Sequence, residues 1–243
     1  MNKGLCSILE KESNNLRDLR AFTQLELACV IGVFTVLLLV ALPLFANTSF
    51  RSNQIGCLNN LRQIGVAFQA WGNDHGDRRP WLVPMSEGGS AGHILRHEAW
   101  FQYSWLSNHM SPRLLMDPSE NAPNKRMTDN WGFSPVGGLS AFKDNAVSYM
   151  LGCHTSLADA NEILVADRHV RFNRLGAGCS YGFNRVASLE VFPFYGWTNG
   201  LHGYAGNLLL NDGRVEFASQ DQLKRVMTRA DDAPFVGHFL TPF

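Results

Sequence analysis

The sequence has no surplus of either charge: 21 Lys and Arg stand against 21 Asp and Glu. A protein that holds a polyanion needs excess cations to displace its counterions. No nucleic-acid partner is therefore expected. Cysteine is sparse, five in 243 residues, so this is not a small scaffold stapled by disulfides. There is no Cys-x2-Cys pair of the kind that seeds a compact zinc site. No Walker or dinucleotide-binding loop is visible, and there is no internal repeat. Aromatic residues are not lacking, and 16 Phe, 6 Trp and 5 Tyr exclude long disorder. The length suits one or two domains with a sizeable core.

One long apolar run stands out. Residues 27–46 read LACVIGVFTVLLLVALPLFA and carry no charge. A bilayer core about 30 Å thick needs roughly 20 apolar residues of helix, so this segment can span one. Lys3, Lys11, Arg17 and Arg20 precede it, whereas only Arg51 and Arg62 follow closely. That bias predicts a cytoplasmic N-terminus. A secretory signal has a shorter apolar core, about 7–15 residues, and a small-x-small cleavage site. This run is longer and lacks that site, so a plain signal-anchor is the bland reading. Glu26 argues for something more specific. A carboxylate costs about 2.5–3.5 kcal/mol at mid-membrane and less at the edge, and such acids are usually paired. The alternative for Glu26 is a seat in the headgroups.

Ala21-Phe-Thr-Gln-Leu-Glu-Leu27 and the apolar run after it resemble the processing and methylation segment of type IV pilins and type II secretion pseudopilins. The resemblance implies cleavage by a prepilin peptidase between Ala21 and Phe22 and methylation of the new N-terminus. Glu26 would then be the fifth residue of the processed chain. The family has Gly before the cut where this chain has Ala21, and Gln24 replaces a usual apolar residue. Pro43 falls where many pilins have a helix-bending proline. In an assembled filament the ammonium of Phe22 would pair with Glu26 of a neighbour, making two charges tolerable in lipid together.

Beyond the run, Ile55, Leu58, Leu61, Ile64, Phe68 and Trp71 recur at spacings of three and four. This stripe predicts an amphipathic helix continuing the membrane segment to about Trp71. The expected organisation is a leader over 1–21, an assembly helix over 22–46, its amphipathic continuation over 47–73, and a head over 74–243. Residues 85–92 read as a surface loop and 98–106 as a short helix. Residues 117–140, rich in Pro, Gly, Asn and Ser, read as an irregular excursion. Strands are expected at 147–151, 163–166, 186–192, 207–210 and 214–218, with a closing helix at 221–229. Asn211-Asp212-Gly213 between the last two strands signals a hairpin. Strands that follow one another without intervening helices predict an antiparallel sheet and an α+β class.

His202 and Asp212-Gly213 are separated by nine residues. This spacing resembles the C-terminal His-x9-Asp-Gly signature of a large pilin-like family of planctomycete and verrucomicrobial bacteria. Cys57-Leu-Asn-Asn-Leu-Arg-Gln-Ile-Gly65 resembles that family's helix after the membrane. Ser148-Tyr149 and Ile163-Leu-Val-Ala-Asp167 resemble its central strands. Two readings of His202, Asp167 and Asp212 are open. They make a structural set, with Asp212-Gly213 a turn and His202 bonding a nearby loop, or they surround a metal. Calcium is conceivable from Asp167, Asp212 and backbone carbonyls; otherwise no cofactor is expected. Cys57, Cys153 and Cys179 would face an oxidising compartment, and three cannot all pair internally. The pilin-like family often has Cys-Pro-Ser where this chain has Asp117-Pro118-Ser119, which leaves the partner of Cys57 open.

The expected function is that of a pilin-like structural subunit rather than an enzyme. It would be single-pass in the inner membrane, with its head extracytoplasmic. Its partners would be a prepilin peptidase and other pilin-like subunits. The rivals are an anchored binding protein that never assembles and an anchored hydrolase with a site near His202.

Overall fold

The computed structural model describes residues 23–132, 137–153, 160–179, 182–183, 185–190, 196–228 and 236–242, apart from the side chains of 42–50, 177 and 236. The leader, the Ala21–Phe22 junction and the ends of two expected elements, Phe192 and Arg229, lie outside these residues. The chain divides into two compact units, Met1–Ser49 and Phe50–Phe243.

Helix α1 spans Gln24–Asp74 and runs through both units. In the first unit its start is a capping box. The Thr23 N–H and hydroxyl both donate to Glu26 Oε2 at 2.9 Å, and Glu26 N–H returns a 3.3 Å bond to Thr23 Oγ1. The window Gln24–Ala41 has a mean hydropathy of 2.3, and none of it is buried in the chain. Thr35 hides its hydroxyl on the Ile31 carbonyl, 2.8 Å away. This helix is long and apolar enough to be a membrane anchor or a signal sequence.

In the second unit α1 turns Cys57, Leu61, Ile64, Ala67, Phe68 and Trp71 inward, all buried. The stripe is thus centred on Cys57, and Ile55, expected in it, is 59% exposed. At about 100° per residue, Ile55 lies some 200° round from Cys57. At Gly56, between the two, a Cβ would lie 3.1 Å from Pro118 Cγ, so the helix comes close to the segment that carries Asp117.

The head is α+β. A seven-stranded sheet has the order β4-β5-β9-β1-β2-β7-β8, with antiparallel ladders. Its strands are β1 (Tyr149–Gly152), β2 (Ile163–Asp167), β4 (Arg174–Ala177), β5 (Val186–Glu190), β7 (Ala205–Leu210), β8 (Val215–Ser219) and β9 (Val236–Leu240). Two short strands, β3 (Val170–Arg171) and β6 (Gly196–Trp197), pair separately. Short helices α2 (Ala99–Ser104) and α3 (Leu139–Phe142) join the core on the α1 side. Helix α4 (Gln220–Met227) starts at a Ser219–Gln222 capping box.

Successive side chains point to opposite faces of a strand. Tyr149 and Leu151, Val165, and Leu209 therefore join the core that includes α1. Met150, Ala166, Leu208 and Leu210 join a second core with Leu223 and Met227 of α4. Both faces of β1 and β2 are covered, which is why these strands read as continuous apolar runs.

The hairpin forms where expected, with Leu209 opposite Val215, but it is not a two-residue turn. Gly213 N–H donates to the Leu210 carbonyl at 3.0 Å, and Leu210 N–H donates to the Arg214 carbonyl at 2.8 Å. Gly213 alone has positive φ there, 88°, as in a three-residue loop closed by a glycine bulge. Space around Gly213 is open, so a side chain there meets backbone strain and nothing else. Gly213→Val is expected to lower stability by about 1–3 kcal/mol, read from the denaturation midpoint, and Gly213→Asn by clearly less.

Candidate functional site

The sheet register builds a polar row on its α1 face. Tyr149 of β1 lies opposite Asp167 of β2. Ala166 lies opposite Leu208, so Asp167 ends β2 beside Asn207. The Asp167 carboxylate takes the place of a ladder acceptor: Asn207 N–H donates to Oδ2 at 2.7 Å. From above, Cys57 of α1 descends onto this row. From the side come Asp117, in the segment under Gly56, and His202, in the turn before β7. That turn is contorted, with Gly203 and Tyr204 both at positive φ, 60° and 57°.

The segment carrying Asp117 is firmly held. Ser119 N–H donates to Asp117 Oδ1 at 2.6 Å. Glu120 accepts from Arg168 through two bonds of 3.0 Å and from the Ser148 hydroxyl at 2.9 Å. Burial pushes the Glu120 carboxyl up, but the Arg168 guanidinium outweighs it and holds it at about 2. A bidentate pair of this kind fixes geometry as well as charge.

The result is a sealed cluster. His202 Nε2 lies 3.3 Å from Asp117 Oδ2 and 3.5 Å from Asp167 Oδ2. Cys57 Sγ lies 3.5 Å from Asp167 Oδ1 and 3.3 Å from Tyr149 Oη. Asn207 Nδ2 lies 3.1 Å from Cys57 Sγ, 3.0 Å from Asp167 Oδ2 and 3.1 Å from His202 Nε2. The most exposed of the six, His202, shows 6% of its surface.

Burial opposes ionisation throughout, and the partners decide the rest. At Asp117, burial raises the carboxyl, but hydrogen bonds from His202 and Ser119 outweigh it, and the net shift is down. At Asp167, burial and the Asp117 charge raise the carboxyl to about 7. At His202, burial disfavours the cation, but Asp117 and Asp167 restore it, and the net shift is up. Burial, then the two carboxylates, push the Cys57 thiol far up. A thiol kept protonated and sealed from solvent is not an available nucleophile.

The structure brings Asp167 and His202 together and leaves Asp212 out. Asp212 sits at the hairpin turn, bound to Arg214 Nε at 2.6 Å. Of the two calcium candidates, only Asp167 therefore reaches the cluster. His202 does bond a nearby loop, through Asp117. Cys57 meets Asp117, Asp167 and Tyr149 and forms no disulfide. Tyr149 and Asn207 were not among the sequence candidates. Their signal is the strand phase: each lies two residues from a core side chain of the same face, Leu151 and Leu209.

Two further spacings are present in the sequence. Gly88-Gly-Ser90-Ala-Gly92 has the Gly-x-Ser-x-Gly spacing of a hydrolase nucleophile. Ser90 is fully buried and donates to Gln102 Oε1 at 2.8 Å, and no strand-to-helix elbow surrounds it. His93 and His97 have a His-x3-His spacing that puts both rings on one helix face only if the segment is helical. Here it forms turns, and the rings pack against Phe101 and Phe183 respectively.

No family model, curated protein or solved structure matches this chain.

Proposed function

We propose that this chain is a pilin-like structural subunit of an envelope filament or secretion pseudopilus, with α1 as its membrane and assembly helix. The observation that carries the reading is the first unit's part of α1: it is apolar and uncovered, and a carboxylate, Glu26, stands in its first turn. A signal sequence or simple tether has no need of that acid at the head of an apolar helix. Assembly of like subunits gives the uncovered apolar residues a partner besides lipid.

Glu26 is the sharpest point of the proposal. In the single chain its carboxylate caps the first turn of α1 through Thr23. After cleavage at Ala21–Phe22 a new ammonium would stand beside that cap, and a neighbour's ammonium could share it. The plain-anchor rival needs neither the cut nor the carboxylate. The buried cluster supports a structural role over the hydrolase rival, because acids, thiol and imidazole are closed off from substrate.

The test is made in the cell of origin. The mature protein is expected to begin at Phe22 with a methylated amine, read by intact mass and N-terminal peptide analysis. Glu26→Ala should stay in the membrane fraction but be lost from sheared filaments or cross-linked oligomers, at least about tenfold below wild type by quantitative blot. A chain that keeps residues 1–21, with Glu26→Ala recovered in assemblies at the normal level, defeats the reading in favour of a plain anchor.

A further inference from the structure

We propose that Cys57, Asp117, Asp167 and His202 form a closed structural site for one divalent transition cation, zinc by its donor chemistry. Each residue offers one ligand atom, and the four atoms lie within 4.8 Å of one another. Bonds of about 2.0–2.3 Å to sulfur, nitrogen and oxygen in a tetrahedron set the ligand atoms roughly 3.3–3.7 Å apart. The distances from His202 Nε2 to Asp117 Oδ2 and Asp167 Oδ2, 3.3 and 3.5 Å, fall in that range, and Cys57 Sγ lies 3.5 Å from the other Asp167 oxygen, Oδ1. The four ligands come from α1, the 117–120 segment before β1, β2 and the turn before β7. One ion would therefore tie the helix to the sheet.

Charge points the same way. Two carboxylates are buried together, and neither hydrogen-bonds or ion-pairs with a Lys or Arg among the described residues. One imidazolium now serves both carboxylates, in a place where poorly paired charge is costly. A dication meets them with two charges, frees the imidazole to bind as a neutral ligand and favours the thiolate, leaving the site with one net negative charge.

Asn207 supplies an independent sign. Its side chain is fully buried, and its Oδ1 has no hydrogen-bond partner. Its Nδ2 lies 3.1 Å from Cys57 Sγ, 3.0 Å from Asp167 Oδ2 and 3.1 Å from His202 Nε2, so atoms of three of the four ligand residues converge on one point. The Nδ2 bond to Asp167 Oδ2 holds that ligand from outside the site, as an outer partner of a metal ligand does.

The donor set also selects the ion. Calcium takes 6–8 oxygens, and a cluster with one sulfur, one nitrogen and two carboxylates does not supply them. Sulfur and imidazole favour zinc or a similar transition ion. Protein ligands fill every position and solvent is excluded, so the site is closed, as structural zinc sites are, rather than open for catalysis.

The experiment uses the full chain in detergent, treated with chelator and titrated with Zn2+ and with Co2+ as a coloured substitute. About one equivalent of either metal is expected to bind per chain. The Co2+ form should show the intense d–d bands of a tetrahedral site and a sulfur-to-cobalt charge-transfer band. Cys57→Ser should abolish the charge-transfer band, and Cys153→Ser should keep it. Asn207→Ala should weaken zinc binding roughly 10–100-fold, as loss of an outer partner does. Wild-type protein with native circular dichroism that binds no Zn2+ or Co2+ overturns the proposal, and this holds even where a variant does not fold. A charge-transfer band that survives in Cys57→Ser overturns it too, by placing the metal on another thiol.

Discussion

His202→Ala is expected to lower the unfolding free energy by about 3–5 kcal/mol. The imidazole is the cationic group that touches both buried carboxylates, at 3.3 and 3.5 Å. Alanine leaves Asp117 and Asp167 facing each other without a cation. The carboxyls then either stay charged and uncompensated or take up a proton at neutral pH. The measurement is chemical denaturation of the full chain in detergent, followed by Trp fluorescence. Adding Asp117→Asn to His202→Ala should cost less than the two single losses together, because the neutral amide no longer needs the imidazole. Strict additivity would mean that the two residues do not act as a pair. A loss below about 1 kcal/mol would place the histidine among ordinary surface hydrogen bonds.

Phe68→Ala is expected to cost about 3–5 kcal/mol in the same assay. Phe68 is fully buried on the inward face of α1. Its ring meets Trp81 edge-on at 5.9 Å and Tyr103 at 6.1 Å, and the Arg79 guanidinium lies over it at 5.7 Å. Truncation opens a cavity between α1, the short turn that carries Trp81 and helix α2 that carries Tyr103. Val66, on the opposite side and 65% exposed, should tolerate alanine within about 0.5 kcal/mol. Equal effects at the two positions would mean that α1 is a tether to the head and not a part of its core.

Much of the architecture is written locally. The apolar run and the Thr23–Glu26 spacing specify a capped helix whatever surrounds it, because its backbone bonds are internal to the segment. The turn signal at Asn211-Asp212-Gly213 specifies the β7–β8 hairpin, since Gly213 alone supplies the required φ without a Cβ clash. The runs at 163–166 and 207–210 are legible as strands because both faces of the sheet are covered. The sequence even holds the phase that places Tyr149, Asp167 and Asn207 on one face, although a phase shows no partner until the register is known.

What only the tertiary structure decides is long-range. Val236-Gly-His-Phe-Leu240 carries little strand signal, yet β9 lies between β5 and β1, with Ala187 opposite Phe239 and Leu151 opposite Leu240. Pairing with two neighbours supplies what local propensity does not. That the α1 stripe takes in Cys57 and leaves out Ile55 shows only in what Cys57 meets, Tyr149 and Asp167, 92 and 110 residues on. The buried cluster joins residues 57, 117, 149, 167, 202 and 207. No local spacing could reveal it, because helix, segment, sheet and turn each contribute a part and only their packing brings the atoms together. Sequence thus determined the elements, whose hydrogen bonds close within a few residues. The site is made of contacts between elements, and the packing of α1 on the sheet is what created it.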